Sequence, residues 1–209
     1  MTFDNTSLIT LRELVKNRIS EKRYLHTLGV ENLARHLGEI LLPDKVAELC
    51  VAALLHDVAK EMTYEEHLVL IKGSDIEYTD EDMLIRPALH SMAAVPLIKS
   101  EFKEFVTADI LSAVANHTLG APAMSVFDEI IFISDYAEEG RTYHTCIEVR
   151  DYLLRSITEE NSTADNVRSL HTASLKSINS TVDSLTRRGE RINTRTLMTK
   201  CYLEDIISK

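Results

Sequence analysis

A histidine and an aspartate stand side by side, as His56 and Asp57, at the end of an apolar segment that begins near Ala52. The segment has the composition of a buried helix. An imidazole next to a carboxylate is costly to bury there unless a cation neutralises the carboxylate and occupies the imidazole lone pair. The pair therefore indicates a metal site, and it constrains the fold because other segments must bring further ligands to this helix.

Four more side chains with metal-ligating atoms stand in apolar or small-residue surroundings; these are His26, His90, His117 and Asp135. Together with the first pair they make four imidazoles and two carboxylates, more than one metal ion with an open position needs. We therefore predict two metal ions, with Asp57 as the candidate bridge. The first ion would be bound by His26, His56, Asp57 and Asp135. The second would be held against Asp57 by His90 and His117.

Hydrophobic periodicity along the chain is helical and predicts an all-α protein. One helix should begin after Ser20 and bury Leu25, Leu28, Leu33 and Leu37. A threonine or serine followed three residues later by an acid, or an asparagine before a periodic segment, indicates further helix starts. These predicted caps are Thr63 with Glu66, Thr79 with Asp82, Ser125 with Asp128, and Asn193. Additional helices are predicted over residues 104–117, 144–157 and about 163–187.

Length and charge narrow the class of protein. A chain of 209 residues suits a single domain, and a net charge of -10 opposes binding to a nucleic acid polymer or to an anionic membrane. A small phosphorylated ligand remains compatible with this charge. We found neither a stretch of roughly 20 apolar residues nor a signal peptide, so a cytoplasmic location is expected. Three cysteines without a Cys-x-x-Cys spacing do not indicate a disulfide framework.

The ligand types indicate both the kind of metal and the chemistry. Imidazoles and carboxylates without thiolate suit iron, manganese, cobalt, nickel or zinc better than calcium or magnesium. Two such cations about 3.5–4 Å apart lower the pKa of a bridging water and stabilise the attacking and leaving oxygens of a phosphoryl displacement. Hydrolysis of a phosphoanhydride follows, because its phosphate leaving group carries negative charge well. Asp57 would be the central catalytic carboxylate.

Three cations close in sequence to the proposed ligands are candidates for substrate binding; these are Arg23, Lys60 and Arg141. Lys60 lies one helical turn beyond His56, where its ammonium could contact a phosphate oxygen, and it is also a candidate catalytic residue. Arg86 could belong to the same basic patch. We interpret His36, His67, His144 and His171 as surface or packing residues, and the acidic pair Glu138-Glu139 as a solvated helix end.

The order His, His-Asp, His, His, Asp, together with the residues that flank these ligands in segments 23–30, 56–60, 116–120 and 134–138, resembles the HD-domain metallophosphohydrolases. The similarity is to the YqeK branch, the bacterial symmetrical diadenosine tetraphosphate hydrolases, and it spans roughly residues 8–185. It implies a helical bundle, a di-iron or other di-metal centre, and hydrolysis of diadenosine tetraphosphate to two ADP by attack of water on an inner phosphorus. All six ligand positions are present.

Beyond the similarity, residues 186–209 are expected to form a C-terminal helical extension packed on the domain of residues 1–185. The expected partner is a small nucleotide substrate, and a homodimer stays open. Two other functions also stay open. The first is phosphohydrolysis of another small nucleotide, such as a nucleoside monophosphate or a guanosine alarmone. The second is a non-catalytic nucleotide-binding regulator. A cyclic-dinucleotide phosphodiesterase is disfavoured because its Gly-Tyr-Pro signature is missing.

Overall fold

The computed structural model describes residues 3–209, and this part of the chain is all-α, which confirms the predicted fold class. It contains three 3-10 turns and no strand. The α-helices are α1 (Asn5–Lys16), α2 (Glu21–Leu41), α3 (Val46–Leu55), α4 (Tyr64–Lys72), α5 (Asp80–Leu84), α6 (Leu89–Glu101), α7 (Ala108–Asn116), α8 (Val126–Ala137), α9 (His144–Ser156), α10 (Thr163–Arg188) and α11 (Thr194–Ser208).

The predicted helix starts are confirmed by their hydrogen bonds. Ser20 caps α2 through its side chain, and Asn193 does the same for α11. Reciprocal capping boxes, in which the cap hydroxyl and the acid three residues later each accept from the other's backbone N–H, begin α4, α5 and α8. Local hydrogen bonding therefore determines where these helices begin.

The innermost helix is α3. Every residue from Leu49 to Leu55 is completely buried, which is expected of a helix that is hydrophobic on all sides. It packs mainly against α2, and also against α1, α7 and α8. The α-helix ends at Leu55, so His56 is its C-terminal cap and Asp57 begins an irregular turn. The prediction that Lys60 continues the same helical face is therefore wrong, because residues 56–62 form turns.

The buried face of α2 differs from the predicted one. Leu25 is 63% exposed, and Leu28 is only partly buried. The helix instead buries Val30 and Ala34, and Leu33 and Leu37 are buried as predicted. The reason is that the first turn of α2 directs His26 into a polar centre, and its neighbour Leu25 lies about 100° away around the helix and faces solvent.

The helix predicted over residues 104–117 is shorter than expected. A 3-10 turn, Lys103–Phe105, precedes it, and Thr107 caps α7 by accepting a hydrogen bond from the Ile110 N–H. The α-helix ends at Asn116, with His117 immediately after it. His117 therefore lies, like His56, at a helix C-terminus that points toward the middle of the molecule.

The C-terminal part packs on the rest of the chain. Helix α11 lies against α10, and Leu203 joins a small apolar cluster with Phe132 and Ile178. Since α10 continues to Arg188, the proposed division between residues 185 and 186 falls inside a helix, and it stays a prediction. None of the helices in residues 3–209 has both the length and the apolar character required to cross a bilayer.

Candidate metal centre

The six predicted ligands come from five segments and meet at one place. His26 lies on α2, His56 and Asp57 follow α3, His90 lies on the first turn of α6, His117 follows α7, and Asp135 lies on α8. Ligand atoms of three overlapping trios lie within 4.8 Å of one another. The trios are His26, His56 and Asp57; His56, His117 and Asp135; and Asp57, His90 and His117. The structure thus brings all of the predicted ligands together.

Asp57 lies at the middle of this cluster. Its Oδ2 is 3.5 Å from Nε2 of His56 and 3.8 Å from Nε2 of His26. Its Oδ1 is 3.1 Å from Nε2 of His90 and 3.6 Å from Nε2 of His117. The two oxygens of one carboxylate therefore face two different pairs of imidazoles, which is the arrangement expected of a residue that bridges two cations.

Asp135 completes one side of the cluster. Its Oδ1 is 3.0 Å from Nε2 of His26 and 3.9 Å from Nε2 of His56. The division into two ligand groups is not sharp, because His117 also lies within reach of His56 and Asp135. The rings of His56 and His117 have centroids 5.0 Å apart and are nearly perpendicular.

Three of the histidines are oriented in the same way. Nδ1 of His56, His90 and His117 lies 2.6, 2.9 and 2.7 Å from the backbone carbonyl oxygen three residues earlier. A carbonyl oxygen only accepts, so each Nδ1 carries the proton and each Nε2 presents a lone pair to the cluster. This is the tautomer that metal binding through Nε2 requires.

The donor set fits metal ions. Nε2 of His90 and Nε2 of His117 are 3.0 Å apart, so two lone pairs face each other unless a cation separates them. Nε2 of His56 and Oδ1 of Asp57 are buried and have no hydrogen-bond partner within residues 3–209. Buried polar atoms are otherwise almost always paired. The cluster is therefore built for cations of the kind that imidazole and carboxylate bind.

His26 is oriented by a carboxylate instead of a carbonyl. Its Nδ1 lies 3.1 Å from Oε1 of Glu138, which is only 3% exposed. The interpretation of Glu138 as part of a solvated helix end is therefore wrong. Its Oε2 accepts from the Gly140 N–H at 2.5 Å, and a Cβ on Gly29 would lie 2.3 Å from that same oxygen. Glycine at position 29 is thus what allows the carboxylate to approach α2.

Nothing in the acidic pair itself distinguished Glu138 from Glu139. The available signal was the position of Gly29, three residues after His26 and therefore on the same face of α2. A glycine beside a ligand on a helix indicates close approach of another segment.

Two predicted substrate-binding cations lie against the cluster. Nη1 of Arg23 is 2.8 Å from Oδ2 of Asp57. Nζ of Lys60 is 3.0 Å from Nε2 of His90 and 3.9 Å from Oδ1 of Asp57. Thr118, which sequence reasoning missed, places its hydroxyl 3.2 Å from Nε2 of His90. Arg23 and Lys60 therefore reach the metal centre, where each of them contacts a proposed metal ligand.

Arg141 also lies at the centre, and Arg86 does not. Nη2 of Arg141 is 2.7 Å from Oδ1 of Asp135, and its Nε donates to the Asp135 carbonyl at 3.0 Å. Arg86 instead lies over the ring of Tyr64, with 4.2 Å between guanidinium carbon and ring centroid. The prediction that Arg86 belongs to the same basic patch as Arg23, Lys60 and Arg141 is therefore wrong.

The electrostatics favour the metal-binding protonation state of Asp57 and His90. Burial alone would raise the pKa of Asp57, but the surrounding His56, His117 and His90 hold that pKa well below its ordinary value. Burial lowers the pKa of His90 to about 4, with His117 and Lys60 acting in the same direction. At neutral pH Asp57 is therefore charged and His90 neutral, the forms in which both coordinate cations.

Comparison with known proteins places this fold and cluster in a family. The HD-domain family profile matches residues 23–140, more than half of the chain. The chain belongs to the HD-domain family, whose members bind divalent metals.

Two relatives are named "Bis(5'-nucleosyl)-tetraphosphatase, symmetrical". The relative from Bacillus subtilis is 36% identical over 138 residues, which are 65% of this chain and 72% of the relative. The relative from Halalkalibacterium halodurans is 34% identical over 141 residues, which are 66% of this chain and 72% of the relative.

Among solved structures, the chain is similar to the "predicted HD superfamily hydrolase involved in NAD metabolism" from Clostridium acetobutylicum. The TM-score is 0.82 with 29% identity, over 95% of this chain and 97% of that one.

Proposed function

We propose that this protein is a metal-dependent hydrolase that cleaves diadenosine tetraphosphate symmetrically into two ADP. The relatives supply the substrate class. The observation that carries the chemistry is Asp57, whose two oxygens face two separate groups of imidazoles. A carboxylate placed in this way suits a pair of cations, and paired cations suit phosphoanhydride hydrolysis.

The ions are two divalent transition metals, and the family resemblance favours iron over manganese, cobalt, nickel and zinc. Their ligands are His26, His56, Asp57, His90, His117 and Asp135. When bound, the cations activate water and stabilise the negative oxygens of the reacting phosphates. In the overall reaction, the water oxygen bonds to one inner phosphorus, the bond from that phosphorus to the central bridging oxygen breaks, and ADP leaves.

The residues around the ligands have separate tasks. Arg23 donates to Asp57 and fixes the orientation of that carboxylate. Arg141 does the same for Asp135. Lys60 is 32% exposed and lies next to His90, so its ammonium is close enough to the centre to contact a phosphate oxygen of the substrate. The positive charge of Arg23, Arg141 and Lys60 also offsets negative charge on the incoming polyphosphate.

The direct test uses protein purified without chelator and without air. Diadenosine tetraphosphate is added with Mn²⁺ or Fe²⁺, and the products are separated by chromatography. We expect ADP alone. AMP with ATP would mean asymmetrical cleavage. Turnover of a nucleoside monophosphate or a guanosine alarmone in place of diadenosine tetraphosphate would favour the other hydrolase function, and tight binding without turnover of any of them would favour a regulator.

The variant Asp57→Asn connects the chemistry to the centre. It keeps the size of the side chain but removes the charge that two cations would share, so we expect bound metal to fall and hydrolysis to drop by at least about 10³-fold, a barrier increase of about 4 kcal/mol. The exposed residue Asp151 provides the control Asp151→Asn. Retained activity in Asp57→Asn, with unchanged melting of both variants, would refute the assignment.

A further inference from the structure

A cavity of about 620 Å³ lies beside the metal centre. His117 and Asp135 form part of its wall, so the cavity opens directly onto the cluster of ligands. The other walls come from α8, from the beginning of α9 and from the last two turns of α10. Small-ligand sites usually measure about 300–1,000 Å³, so the size suits part of a nucleotide.

The wall of this cavity is positive although the whole chain carries a net charge of -10. Lys60, Arg141, Arg187 and Arg188 line it, and Asp135 is the acidic residue among the lining residues. Within residues 3–209 Arg187 has no carboxylate partner at salt-bridge distance, and Arg188 pairs only with the exposed Glu190, at 3.3 Å. These two guanidinium groups are therefore available to an anionic ligand.

Helix α10 presents one face to this space. Ser180, Ser184, Arg187 and Arg188 all line the cavity and are separated by four, three and one residues, which places them along a single side of the helix. The serines offer hydroxyl donors and acceptors beside the arginines. The combination of hydroxyls and guanidinium groups suits a sugar and its adjoining phosphate.

An aromatic ring stands at the rim of the cavity. Tyr143, the residue before α9, lines the cavity and is 75% exposed. Phe132, by contrast, lines the cavity from α8 and is 8% exposed. A large aromatic side chain left in solvent beside a positive cavity is well placed to stack on a nucleobase.

We propose that this cavity binds one nucleoside end of the dinucleotide, with Tyr143 stacking on the base and with Arg187 and Arg188 pairing with the phosphate next to the ribose. The inference rests on the proposed function. Holding one nucleoside beside the centre also sets which phosphorus is attacked. Water adds to the second phosphorus from the held nucleoside, the bond to the bridging oxygen beyond it breaks, and the other half leaves as ADP.

The test compares Tyr143→Ala and the double variant Arg187→Ala/Arg188→Ala with two controls. Arg191→Ala removes an exposed arginine and Tyr78→Ala removes an exposed tyrosine, and neither residue lines the cavity. For diadenosine tetraphosphate with Mn²⁺, we expect KM to rise about tenfold or more in the two test variants and to stay within twofold in the controls. We also expect AMP and ATP to appear beside ADP, because a loosely held nucleoside lets the polyphosphate shift by one phosphate.

Binding of ADP, measured by calorimetry with and without Mn²⁺, separates this inference from the proposed function. We expect the two test variants to bind ADP about tenfold more weakly than the controls. If the wild-type protein does not hydrolyse diadenosine tetraphosphate but the variants bind ADP weakly, the proposed function fails and the cavity assignment stands. If KM, ADP affinity and product ratio match the controls, the cavity assignment is overturned, whether or not kcat changes.

Discussion

Replacing Glu138 with glutamine should selectively weaken the binding of one of the two proposed metal ions. Glu138 accepts two hydrogen bonds, from Nδ1 of His26 at 3.1 Å and from the Gly140 N–H at 2.5 Å. A glutamine has one acceptor oxygen and therefore serves only one of these donors. The loss of one hydrogen bond to a charged group in a site that is 3% exposed costs about 1.5–3 kcal/mol.

If that cost falls on metal binding, the affinity of the ion bound by His26 decreases about 10- to 100-fold, the range usual for residues that orient a ligand. The ion on the His90 side should be unaffected, since Glu138 contacts neither His90 nor His117. Metal-free protein can be titrated with Mn²⁺ while free Mn²⁺ is followed by electron paramagnetic resonance. We expect two binding phases, of which only one moves to higher Mn²⁺ concentration in the Glu138→Gln variant.

The neighbouring residue provides the matched control, because Glu139 is exposed and Glu139→Gln changes the charge by the same amount. Gly29→Ala provides an independent perturbation of the same contact, since its Cβ would displace the Glu138 carboxylate. It should shift the same phase. Identical titrations of the Glu138→Gln and Glu139→Gln variants, or an equal shift of both phases, would refute the role assigned to Glu138.

Three further predictions concern stability and reactivity. Removing the metals with a chelator should lower the Tm by about 10–20 °C, because each of the two proposed ions, present at 100 times its Kd, contributes about 2.7 kcal/mol; an unchanged Tm would contradict a filled metal centre. At pH 8 a thiol reagent should modify Cys201 alone in the native protein and all three cysteines after denaturation, since burial raises the pKa of Cys50 to about 12 and also raises that of Cys146; rapid reaction of a second thiol would contradict this. Burial would by itself raise the pKa of the Asp82 carboxyl, but hydrogen bonds from Thr79 hold that pKa below its ordinary value of 3.8. Asp82 therefore stabilises the fold above pH 3.8. This stabilisation is lost as the pH falls through the lower pKa that the carboxyl has in the folded protein. The variant Asp82→Asn should therefore lose about 1–3 kcal/mol of unfolding free energy at pH 7 and progressively less in acid, as urea titrations can measure.

The clustering of the six proposed metal ligands could be predicted from sequence because their chemistry is hard to explain in any other way. An aspartate beside a histidine after an apolar helix has few stable environments, and His56 and Asp57 indicated one of them. Helix starts were equally accessible, since a capping box such as Thr63 with Glu66 depends only on neighbouring residues. Both kinds of prediction rest on local physics.

Features that depend on tertiary packing were not accessible in this way. Leu25 matched a helical hydrophobic pattern, yet it is exposed because His26 beside it determines which way the first turn of α2 faces. Glu138 and Glu139 are identical in type, and only the approach of α2 at Gly29 makes one of them a buried partner of His26. Periodicity describes a helix, but it does not specify which neighbour covers each face.

The chain beyond the matched family range also shapes the centre. The HD profile ends at residue 140, yet α11 supports the segment that follows His117. The Thr196 hydroxyl donates to the Leu119 carbonyl at 3.0 Å, and a Cβ on Gly120 would lie 2.9 Å from the Thr199 side chain. Gly120 has a φ of +72°, a conformation that favours glycine and turns the chain away from the ligand. The family core therefore supplies the six proposed ligands, whereas α11 holds the loop after His117 in place and α10 forms part of the wall of the adjoining cavity.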